Sequence, residues 1–301
     1  MFKERTAIRV DGSTVFVRVV GYGVIGFFAL ACLLPFLLVI GTSLTSERSI
    51  ARHGFNLWPR EFSTFAYKIV FQNPDLIIGS YYVTIGITAV GTIAGLFIVA
   101  MTGYALQRPD FHYRNRISFF IYFTTLFSGG LVPFYLLVNQ YLALKDNYLA
   151  VLLPGLMSPF LIIMMKSFVR SIPHAITESA KIDGAGDFRI FLRLILPMTT
   201  PALATIGLFI AIGYWNEWYN AMLFLSPNMK YRTLQLFLYT VVTSADYVKN
   251  SSAASNVPLR DLPLESMKMA TAVVATGPVI LLYPFVQRFF IKGITVGAVK
   301  G

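Results

Sequence analysis

Long apolar blocks alternate with short polar stretches along the chain, and six blocks approach the ~20 residues that cross a bilayer core. They cover roughly 20–42, 80–106, 117–139, 148–168, 202–225 and 269–290. Apolar residues grouped in this way point to lipid as the solvent and predict an all-α, polytopic membrane protein with six spans. The fourth block contains Pro154, Gly155 and Pro159. Backbone groups freed there need a partner helix or a water-lined cavity, so this span is expected to face protein. The second and third blocks carry Gly86, Gly91, Gly95, Gly129 and Gly130, which permit close helix approach. Plain packing and a hinge role both remain open for them.

Composition supports this reading. Hydrophobic residues make up 56% of the chain and charged ones 13%, against about a quarter charged in an ordinary soluble domain. The single cysteine, Cys32, lies inside an apolar block, which excludes a disulfide framework and a Cys-based metal site. His53, His112 and His174 are scattered, so no metal centre is expected. The formal charge of +11 does not imply nucleic acid, because the basic residues form no stripe with interleaved aromatics. They cluster at block ends, where they set orientation.

With a cytoplasmic N-terminus, the inside segments hold about 15 Lys and Arg against about 6 Asp and Glu. The outside segments hold about 10 against about 7. Loop 107–116, with Arg108, Arg114 and Arg116, carries much of that bias. Both termini and segment 169–201 are therefore expected in the cytoplasm, with segments 43–79 and 226–268 outside. Lys3, Arg5, Arg9 and Arg18 lead into the first block without a small-residue cleavage site, so that block reads as a retained span. Residues 62–71 suit an amphipathic surface helix through Phe62, Phe65, Ala66 and Ile69. Residues 251–256 read as a flexible tip.

Residues 177–201, TESAKIDGAGDFRIFLRLILPMTTP, form a charged, glycine-punctuated island between two spans. The spacing predicts two short helices. Thr177 is placed to cap the first, with Glu178 near its positive end. Asp183-Gly184 supplies the turn. The second helix, 185–195, sets Phe188, Phe191, Leu192 and Ile195 on one face. Pro197 is expected to end it, and Pro201 suits the first turn of the next span. Gly184-Ala185-Gly186-Asp187 also fits the string of intramembrane aspartyl proteases. That chemistry needs a second aspartate at membrane depth, and none of the six blocks contains one.

The island resembles the EAA loop of ABC importer permeases. Glu178, Ala180, Asp183, Gly184, Ala185, Phe188, Leu196, Pro197 and Pro201 match that pattern, and Ser179 stands where alanine is usual. The tail FFIKGITVGAVKG is similar to that of carbohydrate-importer permeases, in particular the branch handling complex oligosaccharides. The resemblance implies a type I importer permease fold, one transmembrane domain over 1–301, in the bacterial inner membrane. It implies that the hairpin is a coupling helix docking an ATP-hydrolysing subunit through Glu178, Ser179, Ala180, Asp183, Gly184, Ala185, Phe188 and Pro197. The expected partners are a second permease, an ATPase dimer that binds ATP and Mg²⁺, an extracytoplasmic solute-binding protein, and lipid. The tail at 293–301 is expected to insert between the ATPase subunits. The chain itself carries no Gly-x-x-x-x-Gly-Lys-Ser/Thr loop, so ATP is expected to bind elsewhere and no cofactor belongs to this chain.

Glu217 is the one acidic residue clearly inside a block, within Trp215-Asn216-Glu217-Trp218. A carboxylate there faces a cavity or a partner. These four residues are candidates for the translocation path, since rings stack on sugar faces and amides pair with hydroxyls. An interfacial aromatic belt, with Glu217 and Asn216 locking two helices, is the alternative. Against a permease stand a membrane-embedded enzyme, for which no His/Asp/Glu cluster shares a span, and a secondary transporter, for which inverted repeats are not evident.

Overall fold

The computed structural model describes residues 12–255 and 263–280, and among these every regular element is helical. The two longest uninterrupted apolar helices are α1 (Gly12–Ser43) and α4 (Pro74–Gln107). At 1.5 Å per residue both exceed the ~30 Å hydrocarbon core. The described residues fall into two compact units, within 1–72 plus 244–274 and 73–243 plus 275–301.

In the first unit, α1 is apolar on every side and its side chains from Val15 to Ile40 are largely exposed, as suits a helix surrounded by lipid or by another chain. Short helices α2 (Glu47–His53) and α3 (Phe65–Val70) follow. Ser46 caps α2, its hydroxyl accepting the Ser49 N–H at 3.2 Å. The amphipathic helix expected over 62–71 is shorter than its pattern. Phe62 instead pairs with Thr45 in an isolated bridge and is exposed, and the buried side chains of α3 are Ala66 and Val70. The Glu47 carboxylate accepts the Glu265 and Ser266 backbone N–H groups, each at 3.1 Å, at the start of a helix over 264–280. In this unit Lys268 bridges Asp246 and Glu265, and Lys249 pairs with Glu265 at 2.7 Å.

The second unit is organised around α4, which packs against α8 (Pro159–Arg170) and α12 (Thr200–Trp215). Between them lie α5 (Arg114–Leu126), α6 (Leu131–Leu136) running into a π-turn at Leu137–Tyr141, and α7 (Leu149–Gly155). Then come α9 (His174–Ile182), α10 (Asp187–Ile190), a π-turn at Phe191–Ile195, and α11 (Leu196–Met198). After α12 follow α13 (Tyr219–Phe224) and α14 (Leu234–Ser255). Val99, Ala100, Ile162, Met165, Ile190, Phe191, Ile195 and Ile206 form the centre of the core. Gly103 lets α4 meet α8, since a Cβ there would lie 2.8 Å from Met165 Cγ.

Several spans differ from the straight helices expected. Among the described residues two helices are long and apolar enough to cross a membrane, or up to five if each bent pair is one span. The third block bends by 113° between α5 and α6, where Gly130 takes φ 87°, a conformation costly for other residues. The fourth bends by 42° between α7 and α8, at the prolines. The fifth ends at Trp215 and resumes as the separate α13. The sixth block, 269–290, extends beyond the described residues, as does the tail at 293–301. Residues 251–255, read as part of a flexible tip, continue α14.

Breaking the fourth block frees backbone groups, and α12 answers one of them. Leu156 N–H bonds to the Leu153 carbonyl, and the Tyr214 hydroxyl donates to the Leu152 carbonyl at 2.7 Å. The Tyr214 ring lies against both Gly91 and Gly155, where a Cβ would come within 2.4 and 2.8 Å of it. The glycines therefore make room for the side chain that repairs the break.

Candidate functional site: a clamped helical hairpin

The polar island folds as two helical arms. The first, α9, begins at His174 after Pro173, earlier than expected. Thr177 is accordingly no cap. It lies inside α9, with its hydroxyl donating to the His174 carbonyl at 2.7 Å. The turn is a Schellman motif, in which Gly184 N–H bonds to the Lys181 carbonyl and Ala185 N–H to the Ala180 carbonyl, at 3.0 and 2.9 Å. Gly184 supplies the required left-handed residue, with φ 77°. Ala180 and Ala185, the hydrophobic pair of such a motif, are half-buried against the core.

The second arm continues past the expected stop. Pro197 has no N–H for an α-bond and its ring crowds the preceding turn. The chain responds with a π-turn, Leu196 N–H bonding back to the Phe191 carbonyl, and Pro197 remains inside α11. The direction changes by 85° between this arm and α12. Ile190, Phe191 and Ile195 are buried, anchoring the arm, whereas Phe188 and Leu192 point outward. The single apolar face expected from Phe188, Phe191, Leu192 and Ile195 is thus divided, with Ile190 taking the place of Phe188 on the buried side.

An ionic clamp fixes the hairpin to the loop after α4. Arg108 Nη1 lies 2.7 Å from Asp187 Oδ1, and Arg108 also pairs with Asp110. Lys181 Nζ lies 2.7 Å from Asp110 Oδ2 and 3.7 Å from Asp187 Oδ1. Hydrogen bonds from Arg108 and then Lys181 hold the Asp110 carboxyl well below the usual carboxylate range. A cavity of about 600 Å³ beside α9 is lined by Arg108, Arg170, His174, Glu178 and Lys181 among others.

What remains exposed is informative. Ala175, Glu178, Ser179 and Ile182 share one face of α9 by helical spacing, and all are exposed. Ile182 is 85% exposed and Phe188 58%. Ile182 was not among the residues expected to dock, although an apolar side chain immediately before the Asp183-Gly184 turn of a polar helix is a visible signal. Glu178 is exposed and bonds only locally, Oε1 lying 3.0 Å from His174 Nδ1. Asp183 and Gly184 are at the exposed tip.

The second group of expected site residues is split by the structure. Trp215 is buried, its Nε1 donating to the Ala275 carbonyl at 3.3 Å. The Glu217 carboxylate accepts the Asn220 N–H and Nδ2, at 2.8 and 3.1 Å, and so caps the start of α13. Asn216 and Trp218 are exposed.

No family model matches the chain. Individual relatives do. Over 281 residues it is 40% identical to YtcP of Bacillus subtilis (strain 168), a polygalacturonan/rhamnogalacturonan transport system permease protein. That alignment covers 93% of this chain and 96% of the relative. The chain belongs to the permease subunits of carbohydrate ABC importers. This permease is also 28% identical to the arabinooligosaccharides transport system permease protein AraQ of the same strain, over 91% of this chain and 92% of that one. Its fold matches a chain in the crystal structure of a bacterial ABC transporter involved in the import of the acidic polysaccharide alginate. The TM-score is 0.79 at 30% identity, covering 93% of this chain and 98% of that chain. As a permease subunit it is a membrane protein and not itself an enzyme, the ATPase activity residing in a separate subunit.

Proposed function

We propose that this permease carries an oligosaccharide across the bacterial cytoplasmic membrane and is driven through its α9–α10 hairpin, seated in a cleft of an ATP-hydrolysing partner that holds ATP and Mg²⁺. The single observation that carries the reading is the combination of rigidity and exposure in that hairpin. Arg108, Asp110, Lys181 and Asp187 lock it to the loop after α4, while Ile182 and Phe188 are left uncovered beside Glu178. A rigid element can pass a displacement to α12, and apolar side chains exposed on a charged, water-facing hairpin gain by burial against a partner.

The clamp also supports the expected sidedness. It brings loop 107–116, the most basic short loop, to the same end of the second unit as the hairpin. That end is the cytoplasmic one by the positive-inside rule. On this reading segments 43–79 and 226–268 are extracytoplasmic and meet a solute-binding protein, and a second permease chain completes the path. The named substrates of YtcP and of the alginate importer, with the mild basic excess outside, favour an acidic saccharide.

The test is co-purification of the ATPase with membranes bearing Ile182→Glu or Phe188→Glu. Both variants are expected to insert and to lose the ATPase. Retention of the ATPase at the normal ratio, with normal uptake, removes the docking role.

A further inference from the structure

Arg114 and Ser118 lie one turn apart on α5, and Lys166 and Arg170 one turn apart on α8, so each pair shares a helix face. The two faces meet. Lys166 Nζ donates to Ser118 Oγ at 2.9 Å, and Arg114 and Arg170 both line the cavity of about 600 Å³ beside α9. The contacts form a short ladder, with Ser118 and Lys166 as its deeper rung and the two arginines at the end nearer α9.

Three cations gather there without a counter-charge. The charges that act on Lys166 are those of Arg114 and Arg170. Among the described residues, no carboxylate lies within ion-pair distance of any of the three. Two carboxylates line the cavity, and both are engaged elsewhere, Asp110 by Arg108 and Lys181, and Glu178 by His174. Arg114 and Lys166 are half-buried, where like charges repel more strongly than in open water.

We propose that Arg114, Ser118, Lys166 and Arg170 form a site for a phosphate group, carried by an anionic phospholipid. Lys166 gives one of its three donors to Ser118, leaving two for phosphate oxygens. The arginines add forked donors that match a phosphate. A lipid is the favoured source because the same two faces continue as largely apolar surface. One turn deeper, Tyr122 on α5 and Ile163 on α8 are exposed, where an acyl chain extends from its headgroup.

Arg170 ends α8 and α9 begins at His174, so an occupied site braces the root of the hairpin against the membrane surface. Only the inner-leaflet address rests on the sidedness proposed above. Binding to the site requires neither ATP nor uptake, so its failure and that of the docking reading are separable.

The experiment uses the purified complete transporter in neutral-detergent micelles, with two probes. In the first arm, dioleoylphosphatidylglycerol and dioleoylphosphatidylcholine compete for retention, read by native mass spectrometry. The unaltered transporter is expected to prefer phosphatidylglycerol. Arg170→Gln and Lys166→Gln should each reduce that preference by about fivefold, the scale of one cation near an anionic headgroup. Arg170→Lys, which keeps the charge, should stay within about twofold. In the second arm, inorganic phosphate is added without phosphatidylglycerol and the thermal midpoint of the permease is followed. No shift is expected. A rise that both glutamine variants lose would keep the site and assign it to a soluble phosphate.

The effect on stability should also change with the lipid. Without an anion, Arg170→Gln relieves repulsion and should melt no lower than the unaltered protein, whereas with phosphatidylglycerol it should melt lower. An equal lowering in both conditions reduces Arg170 to packing and overturns the proposal. An unchanged lipid preference in the variants, with loss of the ATPase, assigns the cations to that partner and overturns it too. If Arg170→Gln fails to assemble, Arg114→Gln on the facing helix decides between the same outcomes.

Discussion

Arg108, just beyond the end of α4, places Nη1 2.7 Å from Asp187 Oδ1 at the first residue of α10. One guanidinium thereby ties the longest helix of the second unit to the α9–α10 hairpin, since it also holds Asp110 and, through it, Lys181. Arg108→Gln is expected to keep the protein in the membrane and to loosen the hairpin. Amide exchange in α9 and α10 should rise by about two- to fivefold, the scale of a partly exposed ion pair, with a parallel loss of uptake per ATP hydrolysed. Unaltered exchange would leave the clamp without a mechanical role.

The pH dependence of that clamp has a definite sign. Hydrogen bonds from Arg108 and Lys181 depress the Asp110 carboxyl, so its contribution is complete above the ordinary carboxylate value and is lost only as pH falls through the depressed folded value. Lys181 is shifted upward, first by its hydrogen bond to Asp110, so its contribution is lost only above the ordinary lysine range. Protection of the α9 amides, corrected for intrinsic exchange, should stay flat from about pH 5 to about pH 9. Asp110→Asn should lower it throughout. A step near neutral pH would mean that another group controls the hairpin.

Gly184 is the position where a side chain acts through the backbone. With φ 77° and nothing within 4 Å of an added Cβ, Gly184→Ala meets no clash and bears only the left-handed penalty of about 1–2 kcal/mol. It should fray the Schellman turn and weaken coupling without changing membrane content. Gly184→Arg adds bulk and charge at the exposed tip and should abolish coupling, read as ATPase activity that no longer responds to the loaded binding protein. Normal transport by the arginine variant would exclude a seated tip.

Tyr214 supplies a stability test at the break in the fourth block. Tyr214→Phe leaves the Leu152 carbonyl without its donor, at a cost of about 1–3 kcal/mol, and lowers the thermal midpoint of the purified permease. Gly91→Val drives a methyl into the same ring and should cost a similar amount, about 1–3 kcal/mol. If Tyr214→Phe melts like the wild type, another group serves the broken span.

Glu217→Ala separates scaffold from ligand contact. Losing the cap of α13 should cost about 0.5–2 kcal/mol in stability. Dependence of uptake on the kind of saccharide should be unchanged. A selective loss of acidic or neutral saccharides in this variant would return the carboxylate to the path.

Much of the hairpin was legible because its signals are local. Asp183-Gly184 announces a left-handed turn, and the acidic and basic residues of 177–193 cannot lie in lipid. The EAA-like pattern added the partner. The exact faces were not legible, since the arm buries Ile190, Phe191 and Ile195, leaves Phe188 and Leu192 outside, and passes through a π-turn at Phe191–Ile195 that α-helical spacing does not foresee. That turn depends on how Pro197 is accommodated within a packed helix, a choice between breaking and bulging that spacing does not encode. Thr177 was misplaced for a similar reason, as Pro173 starts α9 earlier than the polar run does.

The transport face shows the same division. Trp215, Asn216, Glu217 and Trp218 look equivalent as a string of aromatic and polar residues. Only the fold separates them, burying Trp215 against Ala275, spending Glu217 on Asn220, and bringing Tyr239 onto Trp218.

By itself the sequence determined the solvent, the helical class, the family and the polar hairpin, because block length, charge placement and turn chemistry act over a few residues. The tertiary structure alone decided which spans bend, which cations clamp the hairpin and which rings meet. Those outcomes depend on contacts between segments far apart in the chain, whose free energy no local pattern records.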